Sequence, residues 1–252
     1  MHRIVEAERR VYADRAAHLG DPDFYTVPQK QLLRHDYNTQ RMNDVSLDRA
    51  TPSASIQAGA MPPQESEETT HFSIVDQWGN AVSVTTTLNS SFGSTVIVGG
   101  AGFLLNNEMD DFSVKPGVPN LYGLVGGEAN AVQSQKRMLS SMTPTIVERD
   151  GQLFMVVGTP GGSTIMTSVF QTILNVTEHG MTMQEAVNAK KFHHQWLPDI
   201  LFYEEGAFTR ETIDALQAMG HKVQQREPIG RVEAILVREN GLLEGAADPR
   251  GD

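Results

Sequence analysis

Apolar residues recur at three- and four-residue steps at Ile4, Val5, Ala7, Val11, Tyr12 and Ala16, set among glutamates and arginines. That spacing predicts an amphipathic helix with one buried face, ending near Gly20. From Asp21 to about Glu68 the pattern is broken by Pro22, Pro28, Pro52, Pro62 and Pro63. Only Val27 to Tyr37 is periodic enough for a short helix, and residues 50 to 68 read as an extended, exposed segment. At Thr69 the character changes. HFSIVD (71–76), a turn containing Gly79, and the alternating AVSVTTTL (81–88) predict a β-hairpin. A Gly-rich loop, the run NNEMDDFS and a Pro/Gly loop from Pro116 to Gly127 follow. PTIVERDGQLFMVVGTPGG predicts a second hairpin that turns at Asp150-Gly151. Helices are expected over Ser163 to Gly180, Met183 to Lys191 and Thr209 to Met219, with a last strand pair from Arg231 to Val237 and in GLLEGAADPR. Strands, then helices, then strands again predict a layered α/β (α+β) sandwich with antiparallel pairing and without alternating βαβ units. There is no internal repeat and no low-complexity tract.

Composition narrows the class. The 252 residues are 39% apolar and 20% charged, as in an ordinary globular protein. A chain of this length buries roughly 70–75% of its unfolded surface and needs no staple. The absence of cysteine excludes a disulfide framework, a Cys-zinc site, an iron–sulfur cluster and a thiol nucleophile. Twenty Lys and Arg against 31 Asp and Glu give a formal charge of −11, with no basic run, which argues against nucleic acid or an anionic membrane as partner. No apolar run approaches the roughly 20 residues of a membrane-spanning helix. The first residues lack the apolar stretch of a signal peptide, so either the protein stays inside or the chain is not the true beginning of the gene product.

Each chemical candidate has a plainer reading beside it. Thr69 opens a strand, where threonine is ordinarily only a good β-former. Freed at a chain start, it would carry a hydroxyl nucleophile and, in its own α-amine, a base with a reference pKa of about 7.7–8.0. Thr85, Thr86, Thr87 and Asn89 follow on the next strand, either as surface hydroxyls with an Asx turn or as groups that orient a nucleophile and read a polar substrate. Glu108, Asp110 and Asp111 suit an ammonium ion, simple hydration or a divalent cation, although the spacing of a calcium loop is absent. Gly161-Gly162 ahead of a helix is either a turn or a pair of oxyanion-holding amides. His193-His194 are adjacent and point apart on a helix, so packing or hydrogen bonding suits them better than chelation.

The runs TTHFSIVDQWGNAVSVTTTLNSSFG, LLNNEMDDFSVKPG, SSMTPTIV, VGTPGGS and FHHQWLPD, in this order, closely resemble the γ-glutamyltranspeptidases, members of the N-terminal nucleophile hydrolase superfamily. The resemblance runs through essentially the whole chain. It implies an αββα sandwich in which residues 69–252 are the small, catalytic subunit and residues 1–68 the end of the large one. It also implies self-cleavage between Glu68 and Thr69, with Thr69 as nucleophile and Thr87 assisting it. Asn89, Glu108 and Asp111 would hold the amino and carboxylate groups of the γ-glutamyl donor. Ser140 and Ser141 would bind its carboxylate, Gly161 and Gly162 would supply oxyanion-hole amides, and Tyr122 would sit in a lid spanning Pro116 to Gly127. The implied activity is γ-glutamyl transfer from glutathione and other γ-glutamyl compounds to water, amino acids or dipeptides, without metal or organic cofactor. Bacterial members of the family are commonly periplasmic or secreted.

Family precursors are more than twice this long, and an arginine that pairs with the donor carboxylate lies in the part not represented in residues 1–68. The remaining large-subunit portion is therefore an expected partner, as a separate chain or as part of a longer product. The alternative is an uncut, non-catalytic remnant that serves as a binding or assembly module.

Overall fold

In the computed structural model, residues 1–57 and 69–251 are described. The chain opens with helix α1 (His2–His18), followed by the short helices α2 (Gln29–Leu32) and α3 (His35–Met42). The first hairpin joins β1 (Thr69–Val75) to β2 (Ala81–Thr87), and the second joins β3 (Thr145–Arg149) to β4 (Gln152–Gly158). Next come α4 (Ile165–Thr177), α5 (Met183–Asn188), β5 (Phe192–His193), β6 (Leu201–Glu204), α6 (Arg210–Ala218) and β7 (Val223–Arg226). Strands β8 (Glu233–Val237) and β9 (Leu243–Ala247) close the chain. The chain divides into two compact units, one from Met1–Glu65, Glu108–Ser140 and His193–Arg226, the other from Ser66–Asn107, Ser141–Phe192 and Glu227–Asp252.

The second unit is layered. Its four-stranded sheet runs β3-β4-β8-β9, antiparallel throughout, and the β1-β2 hairpin stacks on it. Helices α4 and α5 pack against the sheet, and Met155, Val157, Val169, Val187, Val232 and Leu236 lie in the core. Local chemistry explains the boundaries. Asp150 and Gly151 both take positive φ, 53° and 73°, as a tight two-residue hairpin requires. Thr182 caps α5 in a reciprocal capping box with Glu185, and the Thr209 side chain accepts from Thr212 N–H to cap α6.

The β1-β2 hairpin turns its polar alternation inward. His71, Ser73, Ser83 and Thr85 are half-buried or buried, while Phe72, Ile74 and Val82 on the other face are 42%, 52% and 46% exposed. The Ser73 hydroxyl donates to Glu233 O at 3.2 Å and the Ser83 hydroxyl to Val157 O at 3.4 Å, so the hydroxyls of the inner face serve as donors to the sheet below.

The first unit departs from the expected pattern at four points. The one short helix expected over Val27 to Tyr37 is two, α2 and α3, broken between Leu32 and His35, and α3 runs on to Met42. Helix α1 forms as predicted, yet Val11 is 55% exposed while Glu6, Arg9 and Arg10 are buried. The cause is ion pairing within the helix: Glu6 accepts from Arg9 at 2.5 Å and from Arg10 at 2.7 Å, and Arg9 reaches Asp199 at 3.0 Å. Residues 50–57, expected to be extended and exposed, instead bury Ala50, Ser53 and Ile56, and Ser53 O accepts the Trp196 indole N–H at 3.0 Å. The remainder of that expectation, residues 58–68, lies outside the described residues. Finally, β6 and β7 pair in parallel around α6, which makes one βαβ unit where only antiparallel pairing was expected. Among the described residues no helix is long and apolar enough to cross a membrane.

Candidate active site

Strand register sets the centre of the site. In the β1-β2 pairing Thr69 lies opposite Thr87, and the Thr69 hydroxyl donates to the Thr87 hydroxyl at 3.3 Å. The same Thr87 oxygen accepts the backbone N–H of Asn89 at 2.8 Å. Asn89 is in the left-handed region at φ 76°, a conformation asparagine tolerates better than most residues, and is 2% exposed. Its side-chain amide donates to Asn107 O at 3.3 Å. Glu68 lies outside the described residues.

Thr69, Thr70, Thr86 and Thr87 line a cavity of about 370 Å³. Leu88, Ser90 and Ser91 complete the wall together with Arg231, the one charged side chain in it among the described residues.

Two residues along β1 from Thr69, His71 is 5% exposed, and burial pushes its imidazole down to about 4, so the ring is neutral at physiological pH. One ring nitrogen meets the Thr85 hydroxyl at 2.8 Å and the other the Ser73 hydroxyl at 3.1 Å. The ring lies against β4 so closely that a Cβ on Gly158 would stand 2.2 Å from it. Directly after Gly158 the chain passes through Thr159 and Pro160 to Gly161 and Gly162. Both glycines take positive φ, 136° and 52°, and are buried. A Cβ on Gly161 would stand 2.6 Å from the Thr164 hydroxyl, which itself donates to Gly161 O at 2.7 Å.

The other expected residues fall in the first unit, except Ser141. Glu108 and Asp111 share one turn of 3-10 helix, Glu108–Asp111. Burial raises Asp111 to about 7; the Arg15 guanidinium opposes that rise, and the Glu108 and Asp110 carboxylates add to it. Burial also raises Glu108. The buried side chain of Asn130 ties this turn to the approach to Ser140, donating to Asp111 O at 2.7 Å and accepting Leu139 N–H at 2.9 Å. Tyr122 is 4% exposed, and Gln195 donates to its carbonyl at 3.1 Å. The division between units falls between Ser140 and Ser141, both half-buried.

The structure thus brings Thr69, Thr87 and the Asn89 backbone into direct contact, and places Gly161 and Gly162 in the same unit. Glu108, Asp111, Tyr122 and Ser140 belong to the other. Arg231 in the cavity wall, Asn130 beside Asp111 and Arg15 opposing its charge carry no signal in the sequence, whereas His71 follows the two threonines on the inward side of the strand alternation.

Three groups elsewhere have the composition of a metal site: His2, Glu6 and His221, all buried, place ligand atoms within 4.8 Å of one another. Their bonding is a relay instead. Arg9 meets one nitrogen of His221 at 3.2 Å, the other nitrogen meets His2 at 2.7 Å, and His2 reaches Ser46 O at 2.8 Å. With two guanidinium cations already on Glu6, this set fits a hydrogen-bond chain better than a cation. His193 and His194 are fully buried; His193 meets Gln195 at 2.8 Å and His194 meets Asp199 at 3.3 Å.

Comparison with known proteins adds three findings. The family model described as gamma-glutamyltranspeptidase matches residues 1–252. The glutathione hydrolase proenzymes of Escherichia coli K12 and Pseudomonas aeruginosa are 51% and 50% identical to the chain, over 99% and 100% of its length. The chain spans 43% and 45% of those two proteins, less than half of each. An acivicin-inhibited gamma-glutamyltranspeptidase chain of known crystal structure superposes with a TM-score of 0.71 at 53% identity, over 73% of this chain and 99% of that one.

Proposed function

The chain belongs to the γ-glutamyltranspeptidase family, and from that premise we propose that it carries the nucleophile-bearing part of a γ-glutamyltransferase and glutathione hydrolase. The observation that carries the reading is the hydroxyl pair Thr69–Thr87, joined at 3.3 Å where β1 begins. A threonine at that place becomes a nucleophile with its own base once the Glu68–Thr69 peptide is cut, which divides the chain into residues 1–68 and 69–252.

In the proposed reaction the Thr69 oxygen forms a bond to the γ-carbonyl carbon of the donor, and its proton passes to the freed α-amine. Before the cut Thr87 accepts the Thr69 hydroxyl and holds its rotamer, with the Asn89 N–H holding Thr87 in turn; once the Thr69 proton turns to the amine, the Thr87 hydroxyl donates to the Thr69 oxygen instead. Gly161 and Gly162 amides take the charge of the tetrahedral oxyanion. The intermediate collapses as the C–N bond breaks and the departing amine takes up the proton, leaving a γ-glutamyl ester on Thr69. Water then releases glutamate, or an amino acid or dipeptide amine takes the acyl group. Asp111, Glu108 and Asn89 bind the donor's amino and carboxylate groups, Ser140 and Ser141 its carboxylate, and the 116–127 loop with Tyr122 covers it. Glutathione is the proposed donor, and the chain's own groups supply nucleophile, base and oxyanion donors without a cofactor. The exposed apolar face of Phe72, Ile74 and Val82 supports docking of the rest of the family's large subunit, as part of one product or as a separate chain.

The test is turnover of γ-glutamyl-p-nitroanilide by the full-length natural protein against Thr69→Ala and Thr70→Ala. The reading expects Thr69→Ala to lose at least about a thousandfold in kcat, as nucleophile removal does, with Thr70→Ala far milder. Equal turnover by wild type and Thr69→Ala would place the nucleophile elsewhere, and no turnover by the wild type would favour a non-catalytic binding module.

A further inference from the structure

The cavity beside Thr69 contains a charge that the proposed chemistry does not use. Arg231 lines it in a wall otherwise made of hydroxyls and one leucine. Its backbone is fixed: the Arg231 N–H donates to the Thr159 hydroxyl at 2.7 Å, and Gly230 before it, at φ 69°, passes so near Gly161 that a Cβ there would stand 3.4 Å from the Gly230 Cα. The main chain at 230–231 is therefore seated against the loop that carries the two glycines. The guanidinium itself has no ion-pair partner among the described residues, although Asp and Glu outnumber Lys and Arg by 31 to 20 in this chain. A planar fork of donors left without a carboxylate, at the edge of a cavity holding the nucleophile, is arranged for an anionic ligand.

The orientation of Asn89 indicates which part of the substrate that is. Asn89 takes no part in the cavity wall; its amide turns to Asn107 O, whereas Leu88, Ser90 and Ser91 face the cavity. The donor's head group is assigned to the Asn89 side, so the Arg231 cavity is left for the amine side of the scissile bond. Its volume of about 370 Å³ lies within the range of small-molecule sites.

We propose that Arg231 is a specificity-determining residue that binds the carboxylate of the leaving or accepting peptide, so that the site prefers amine partners ending in a free carboxylate. This rests on the reading of Thr69 as nucleophile.

The experiment uses the full-length natural protein as wild type, Arg231→Gln and Arg231→Lys, with γ-glutamyl-p-nitroanilide as donor and either glycylglycine or glycylglycine amide as acceptor. The readout is the ratio of kcat/KM for the two acceptors, which a general loss of activity does not move. A charge-assisted contact at a partly exposed site predicts a preference of about tenfold for the carboxylate in wild type. Arg231→Gln brings that ratio to near one, and Arg231→Lys retains most of it. An unchanged ratio in Arg231→Gln overturns the proposal, as does an equal loss with both acceptors, which would place Arg231 on the donor's head group. If the wild type turns over no anilide, the reading of Thr69 fails separately. Arg231 is then judged by calorimetric binding of the same two dipeptides, where the same preference and its loss in Arg231→Gln are expected, and equal binding in all variants overturns it.

Discussion

At the level of single residues, the proposed turnover depends on which side chains are charged and which are held. Asp111 is raised to about 7 by burial, with Arg15 opposing the rise. Only the ionised form holds an ammonium group, and the Thr69 α-amine must likewise be unprotonated to act as base, so kcat/KM for the donor is expected to climb as pH rises through about 7 to 8 and to fall by about a hundredfold per pH unit well below both groups. Arg15→Met removes the opposing cation and is expected to move that acid limb to higher pH, read from the pH–rate profile. The linkage to folding has the opposite sense. Between the ordinary carboxylate range and about 7, folded Asp111 keeps a proton that the unfolded chain has released. Its contribution to stability is therefore full below that ordinary range and is lost as pH rises through about 7. Thr87→Val keeps the β-branched shape but removes the oxygen that receives both Thr69 and Asn89 N–H. A fall of about 10- to 100-fold in kcat is expected, with KM for the donor little changed, because only the orientation of the nucleophile is lost.

At the scale of elements, hairpins and capped helices were legible because their signals are local. Alternation from Ala81 to Thr87 placed Thr85 and Thr87 on one face, and the inward set His71, Ser73, Ser83 and Thr85 keeps that alternation. The parallel pair β6-β7 was not legible: LFYE is short and does not alternate, and its partner lies beyond α6. Arg231 was invisible for a related reason, since a lone arginine after a glycine carries no periodic signal and its meaning comes only from the cavity it lines. The contact between β1 and β4 yields its own prediction. Gly158→Ala would drive a methyl into the His71 ring at 2.2 Å, and both strands are held by ladder bonds on which the site depends. Overpacking of this kind is expected to cost about 1–3 kcal/mol, measurable by denaturant unfolding, and to lower kcat as well. Unchanged stability would show that the two strands are not held by this contact.

At the scale of the whole molecule, the two compact units are held in different ways. The unit carrying Thr69 has an apolar core between sheet and helices, which hydrophobic periodicity announces. The other buries apolar side chains as well, among them Val5, Tyr12, Trp196, Leu201 and Leu216, but sets buried charge beside them, Glu6 with Arg9 and Arg10, and charged residues in a sequence read as solvent-facing until their partners are known. Glu6→Gln would leave two buried guanidinium groups undercompensated and is expected to destabilise the fold by about 3 kcal/mol or more, seen as a lowered Tm. The proposed cleavage before Thr69 changes the covalent state of the whole chain, which intact mass reads. Full-length protein incubated near neutral pH, as wild type and Thr69→Ala, is expected to split between Glu68 and Thr69 in the wild type alone, and added donor is expected to leave a γ-glutamyl mass on the fragment that begins at Thr69. A wild type that stays uncut and unmodified, or a γ-glutamyl ester on Thr70, would contradict the assignment of Thr69 as the nucleophile.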